Sequence, residues 1–295
     1  MRTLLACSAL LLLLPLSVQA ADAPNCKFSA PRSLKLDAAG AKAVVFEVNQ
    51  HDLKVIANAG GGQLDGRACA SDKSWLDQLV LDQRREGDKL VVSLRRDGRS
   101  GLSMGNSYAW LDIRGSVPDN LPLQFRIGSG DASIDNAQSL SMDVGSGDGI
   151  ARGTRGSVHA AVGSGDLDIE GAASLNLLSL GSGDVKARTI GGDAVVGTVG
   201  SGDLKISDVR GNARLQTVGS GDIDFRQVKG NVEIGVVGSG DVDIDQTGGN
   251  VHVRSHGSGD ITVNGAGGNL TVDHSGSGEV RHRDIGGKVT LPRGK

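Results

Sequence analysis

Residues 200–218 read GSGDLKISDVRGNARLQTV, and residues 219–237 follow without a gap as GSGDIDFRQVKGNVEIGVV. Each line opens on Gly-Ser-Gly-Asp and carries a second mark further on, Gly211-Asn212 in one and Gly230-Asn231 in the other. Between the marks, apolar and polar residues alternate. Leu204 and Ile206, then Ala213 and Leu215, recur one line later as Ile223 and Phe225, then Val232 and Ile234. Period-two alternation rich in β-branched residues is the signature of a strand. Each line therefore reads as two short strands separated by corners, where glycine is expected to supply backbone angles that other residues resist.

The same tetrad begins at Gly128, Gly145, Gly163, Gly181, Gly200, Gly219, Gly238 and Gly257, with Gly-Ser-Gly-Glu at Gly276; the spacings are 17, 18 and 18, and then 19 throughout. Self-similarity at a fixed short period means stacked units that bury a core only together. Placing like columns over one another at roughly 4.8 Å predicts an all-β protein, a right-handed parallel β-helix (β-solenoid) of about nine 17–19-residue coils. An antiparallel meander would leave its apolar face with nothing to pack on. An outer-membrane barrel would show aromatic girdles and longer strands.

The chain begins with Arg2 and an apolar run from Leu4 to Val18, closing on Val18-Gln19-Ala20. This reads as a secretory signal peptide, residues 1–20, cleaved after Ala20. The product is expected to be periplasmic, secreted or at the cell surface, with no transmembrane segment. Cleavage would leave two cysteines, Cys26 and Cys69, in a compartment where thiols oxidise. A disulfide between them is expected, for which chain-entropy arguments suggest roughly 3 to 4 kcal/mol.

Residues 21–127 lack the tetrad and form a β-rich capping region in this reading, ahead of the repeat region 128–295. Val44–Val48 and Leu53–Ala57 read as strands, Leu79–Arg84 and Lys89–Arg96 as a hairpin, and Ser71 as the cap of a short helix. Tyr108–Val117 and Leu121–Ile127 read as strands that lead into the repeats.

Four features bear on chemistry. Asp131, Asp148, Asp166, Asp184, Asp203, Asp222, Asp241, Asp260 and Glu279 form one acidic column. A calcium-dependent module is one reading of it, but the nonapeptide spacing of calcium-binding β-rolls is absent. Corner carboxylates accepting amide hydrogen bonds are the expected role. Asn212, Asn231, Asn250 and Asn269, preceded by Asp193, read as a structural amide ladder. The six histidines read as solvated, and no metal or cofactor is expected. A polysaccharide-acting enzyme is the catalytic alternative, but the coils have no long inserted loops, and Phe225 is the only aromatic in the repeats. Residues 128–295 carry 15 Lys+Arg against 21 Asp+Glu, which argues against a nucleic-acid partner.

The Gly-Ser-Gly-Asp ladder, the Gly-Asn second corner and the approach Ala109–Arg114 to Leu121–Leu123 together resemble a bacterial β-strand-repeat family of unknown function. That family is related to the GIN-domain autotransporter adhesin heads. The resemblance implies an exported β-helical protein associated with the cell surface, and it brings no catalytic residues. The functional expectation is thus a non-enzymatic structural or interaction protein of the envelope, adhesin-like, offering a rigid rod to an envelope protein or polymer, with self-association possible. His159, Ala161, Asn176, Leu178, Val195 and Gly197, outward and nearly uncharged, are the candidate interaction face.

Overall fold

A computed structural model describes residues 26–98 and 107–292. The expected signal peptide and its cleavage site lie outside the described residues. The strands before the repeats are β1 (Phe28–Lys35), β2 (Ala43–Asn49), β3 (Asp52–Asn58), β4 (Gln63–Ala70), β5 (Leu79–Glu86), β6 (Lys89–Arg96), β7 (Ala109–Pro118) and β8 (Leu123–Ile127). The first coils contain β9 (Ala132–Asp135), β10 (Leu140–Val144), β11 (Gly149–Val162), β12 (Leu167–Leu180), β13 (Val185–Ile190), β14 (Ala194–Val199), β15 (Leu204–Val209) and β16 (Ala213–Val218). The last contain β17 (Ile223–Val228), β18 (Val232–Val237), β19 (Val242–Thr247), β20 (Val251–His256), β21 (Ile261–Ala266), β22 (Leu270–Ser275), β23 (Val280–Ile285) and β24 (Val289–Thr290).

The repeats form a β-solenoid of about nine coils, and every strand in them pairs in parallel with its equivalent one coil away. Leu204 lies beside Ile223, which lies beside Val242; Ala213 lies beside Val232, which lies beside Val251. This parallel pairing is not the antiparallel pairing of an up-and-down barrel. Strands that follow the Gly-Ser-Gly-Asp corner make one wall, called here the Asp wall, and strands that follow the Gly-Asn corner make the other, the Asn wall.

Three residues per strand point inward instead of the two that alternation suggests. In β15 these are Leu204, Ile206 and Val209, and in β16 Ala213, Leu215 and Val218, all buried. On the Asp wall the third becomes inward because the strand bends one residue earlier. Asn136, Gly153, Gly171, Thr189, Asp208, Gln227, Gln246, Gly265 and Asp284, one in each coil, have φ between 54° and 81°. A left-handed residue reverses the alternation and turns the next side chain into the core. For a non-glycine residue this costs about 1 kcal/mol or more.

The segment expected as a cap does more than cover an end. Parallel pairings place β2 against β8 on the Asn wall and β3 against β9 on the Asp wall, so β2 and β3 form a further coil below the first tetrad. Parallel pairing of β6 with β2 and of β7 with β3 adds another turn. The spatial order therefore differs from the chain order, because the β2–β3 coil is inserted between β6–β7 and β8–β9. Phe46 of β2 stacks on Phe125 of β8 with ring centroids 4.9 Å apart, an aromatic contact worth about 0.5 to 1.5 kcal/mol that ties this turn to the repeats.

Beyond these turns, pairing switches to antiparallel, β5 on β6 and β4 on β7, with β1 outside β4. Antiparallel strands end the stacking direction and cover the edge. The Cys26–Cys69 disulfide is present, with a Cα–Cα distance of 5.5 Å, and it joins the lead into β1 to the end of β4. The short helix is a 3-10 helix, Lys73–Gln78, and its cap is Asp72, whose carboxylate accepts the N–H of Ser74. Ser71 instead accepts the N–H of Tyr108 on its hydroxyl.

Candidate functional site

The second glycine of each tetrad is required by close approach. A Cβ on Gly221 would fall 1.9 Å from the Gly202 carbonyl oxygen, and one on Gly147 would fall 1.8 Å from that of Gly130. None of these corner glycines adopts a left-handed φ. The expected reason, permissive backbone angles, is therefore replaced by another: the coil below leaves no room for a side chain. The serine between the glycines donates its N–H to the coil below, as Ser220 does to the Gly200 carbonyl at 2.8 Å.

The acidic column is a ladder of hydrogen bonds between coils. Asp222 Oδ1 accepts the N–H of Asp241 at 3.0 Å, and Asp241 Oδ1 accepts that of Asp260 at 2.7 Å. The same bond recurs from Asp131 up to Glu279. The carboxylate role expected from sequence is found, with the donor in the next coil and not in its own turn. Among the described residues no group of three or more His, Cys, Asp or Glu side chains is arranged to hold a metal ion. The other corner repeats the device with amides: Asn231 Oδ1 accepts the N–H of Asn250 at 2.8 Å, and the series runs from Asp193 to Lys288.

The acidic ladder has a continuation that the tetrad does not mark. Asn49-Gln50-His51-Asp52 is the corner of the β2–β3 coil and lies under Gly128–Asp131, with the N–H groups of Ser129 and Gly130 both donating to the Asn49 carbonyl. Asp52 occupies the position of the column, and its carboxyl is held above the ordinary range, first by burial and then by the charge of Asp131. Only the shared Asp could have signalled this corner in the sequence, because both glycines are absent.

The histidines do not all lie in solvent, contrary to expectation. His51 is fully buried; its Nδ1 accepts the N–H of Leu111 at 3.3 Å, and burial lowers its pKa to about 4. His256 is buried at an inward position of the Asn wall, in the column of Val218 and Val237, with Nδ1 3.2 Å from the Gly259 carbonyl oxygen. His252 is on the outer surface, 2.8 Å from Asp273.

His159, Ala161, Asn176, Leu178, Val195 and Gly197 all lie on the outer side of the Asn wall, exposed or half-exposed. Leu178 stands out because it is an inserted residue: Ala160 pairs with Leu177 and Ala161 with Ser179, so Leu178 has no partner in the coil below and is 59% exposed. Further along the wall, a depression of about 470 Å³ is lined by residues that include Gly235, Val236, Arg214, Glu233 and His252. The outer Asp wall is charged instead, with Arg188 on Asp168 at 3.4 Å and Arg226 on Asp224 at 2.6 Å.

Against known proteins, the model of the family described as "Putative auto-transporter adhesin, head GIN domain" matches residues 213–289. The relation read from the tetrad ladder is thus found again over those residues. Among solved structures, a "Putative lipid binding protein" from Parabacteroides distasonis is 17% identical, with 90% of this chain and 98% of that one covered and a TM-score of 0.43. A "putative adhesin" from the same organism is 10% identical, with 90% and 97% covered and a TM-score of 0.39. A "putative cell adhesion protein" from Clostridium sporogenes is 11% identical, with 90% and 100% covered and a TM-score of 0.25. No curated protein matches the chain.

Proposed function

We propose that this chain is an exported, non-enzymatic, adhesin-like protein of the cell envelope that offers one wall of a stiff solenoid to an envelope macromolecule. The observation that carries this reading is the contrast between the walls. The outer Asp wall is densely charged and carries ion pairs such as Arg188 with Asp168 and Arg226 with Asp224, whereas the Asn wall keeps a nearly uncharged band around the projecting Leu178. Uncharged bands with exposed apolar side chains mark interaction surfaces more often than solvated walls. The adhesin-head family and a disulfide suited to an oxidising compartment support a place outside the cytoplasm.

A binding role fits the acids better than a catalytic one, because each corner carboxylate from Asp131 to Asp260 commits an oxygen to the amide of the next coil. General acid–base work needs carboxyls that converge on a substrate. The test is sedimentation of the purified protein with isolated envelope fractions. The double variant Leu178→Lys, Val195→Lys, with melting temperature unchanged, is expected to lose most of its association. Undiminished association of the folded variant would remove this face from the reading.

A further inference from the structure

The outer Asp wall changes character where β7, β3, β9 and β11 lie side by side. Coils further along carry a charged or polar residue at both principal outward positions of each strand, such as Lys186 with Arg188 and Asp224 with Arg226. At the junction these positions are instead Lys54 with Ile56, Ser133 with Asp135 and Ile150 with Arg152. Ser133 is short and lies between Lys54 and Ile150 in the register, and the shortfall opens a groove of about 590 Å³ that also takes in Arg114 and Gly115. Binding pockets for small molecules typically fall in the range of about 300–1,000 Å³.

The groove has two chemistries side by side. Ile56 is 48% exposed and Ile150 is half-exposed, so two isoleucines, one on each side of the strand that carries Ser133 and Asp135, interrupt a wall that is otherwise polar. Around it stand three cations. Lys54 is directly beside Arg114 on the neighbouring strand, and like charges at that separation repel unless something neutralises them. Among the described residues no carboxylate lies within 4.0 Å of the Lys54 ammonium.

The acids nearby are engaged elsewhere or poorly matched. Asp131 and Asp148 line the corner edge, and each gives an oxygen to the ladder. Arg114 is 3.5 Å from Asp112. Arg152 is 3.9 Å from Asp135, whose Oδ1 is shielded from solvent and accepts no hydrogen bond.

We propose that this groove binds one small amphiphilic anion, with a carboxylate or phosphate head met by Lys54, Arg114 and Arg152 and an apolar body lying along Ile56 and Ile150. A purely ionic ligand would leave the isoleucines without use, and a neutral apolar one would leave the Lys54 ammonium desolvated without a partner. The site is on the Asp wall and does not depend on the docking role of the Asn wall.

The test is calorimetric titration of the whole exported chain with dodecanoate below its micelle concentration. Saturable one-to-one binding is expected, weakened about tenfold or more by Ile56→Glu and, separately, by the pair Lys54→Ala, Arg152→Ala. All three side chains point outward, so the melting temperatures should hold. Butanoate, which lacks the body, and dodecanol, which lacks the charge, should each bind about tenfold more weakly or worse, and Leu178→Lys should bind as wild type. Flotation with phosphatidylglycerol vesicles distinguishes the source of the ligand. Vesicle binding that both variants abolish assigns the anion to a membrane lipid, and binding of monomeric dodecanoate alone assigns it to a free amphiphile. No saturable binding up to about 1 mM, or binding undiminished by Ile56→Glu, overturns the proposal.

Discussion

Asp241 Oδ1 accepts the backbone N–H of Asp260 at 2.7 Å, so a side chain of one coil satisfies the corner amide of the next. Hydrogen bonds to charged acceptors are worth roughly 1.5 to 3 kcal/mol, and solvent at this exposed corner lowers the figure. Asp241→Ala is therefore expected to cost about 1 to 2 kcal/mol in a urea titration. Asp241→Asn keeps the acceptor, as the amide column at the other corner does, and removes a like charge from the stack, so it should be close to neutral. Equal losses for Ala and Asn would mean that charge, not acceptance, is what the corner needs.

The two small residues of one corner should respond very differently. Gly221→Ala puts a methyl group 1.9 Å from the Gly202 carbonyl oxygen, a contact that the stacked backbone relieves only by separating the coils. A loss of about 3 kcal/mol or more is expected. Ser220→Ala leaves its amide bond to Gly200 intact and should change stability by less than about 0.5 kcal/mol. Thermal melts of the two variants check this; similar shifts would contradict the close-approach account.

Thr189 has φ 60°, an unfavourable angle for a β-branched residue, while the equivalent positions Gly153, Gly171 and Gly265 hold glycine. Thr189→Gly should relieve strain by more than the added freedom of the unfolded chain costs, raising stability by about 0.5 to 1 kcal/mol. A destabilised variant in chemical denaturation would show that the Thr189 side chain contributes more than its backbone costs.

His51 ties stability to pH. Its ordinary pKa of 6.5 falls to about 4 in the folded protein because burial disfavours the charged ring. Between those values the unfolded chain binds more protons than the folded one. The contribution is thus complete above about pH 6.5 and is lost as pH falls toward 4, by up to about 3 kcal/mol. Urea midpoints measured across that window should slope downward for the wild type and run flatter for His51→Leu. Identical slopes would exclude His51 as the group responsible.

The inward and outward assignment is tested at neighbouring positions. Ile234 is buried, so Ile234→Asp places a carboxylate without a partner in the core and should cost several kcal/mol, of the order of 3 to 5. Glu233 is exposed and pairs with Arg214 at 2.7 Å, so Glu233→Lys should lose about 1 kcal/mol or less. Comparable midpoints in guanidinium would reverse the assignment.

The repeats could be read from sequence because their requirements are chemical and recur in fixed columns: glycine where a carbonyl leaves no room, an acceptor where the next amide arrives, and apolar residues at the first and third positions of most strands. The left-handed bend could not, because Asn136, Thr189, Asp208, Gln227 and Gly265 fill it with five residue types and only their backbone angle is shared. The β2–β3 coil escaped for a related reason. His51 stands at the corner where the repeats have glycine, so neither the tetrad nor its spacing marks the turn, and its insertion between later strands is set by long-range pairing that local pattern does not encode. Strands β1 and β4 carry mixed composition and are fixed by antiparallel edge contacts and the disulfide. The candidate interaction band was legible as outward positions, but the projection of Leu178 follows from a register slip between β11 and β12. The junction groove needs strands from four distant parts of the chain.

From Asp184 to Asp260 each corner aspartate accepts the backbone N–H of the next coil, and from Gly181 successive tetrads are 19 residues apart. An in-frame duplication or deletion of one such unit in the gene would leave each remaining corner with an equivalent acceptor and donor in the coil next to it. The length of the molecule is therefore adjustable in steps of one strand spacing without any compensating change elsewhere. Among natural variants, reach away from the capped end is expected to change in whole coils, like a ruler cut at its own graduations.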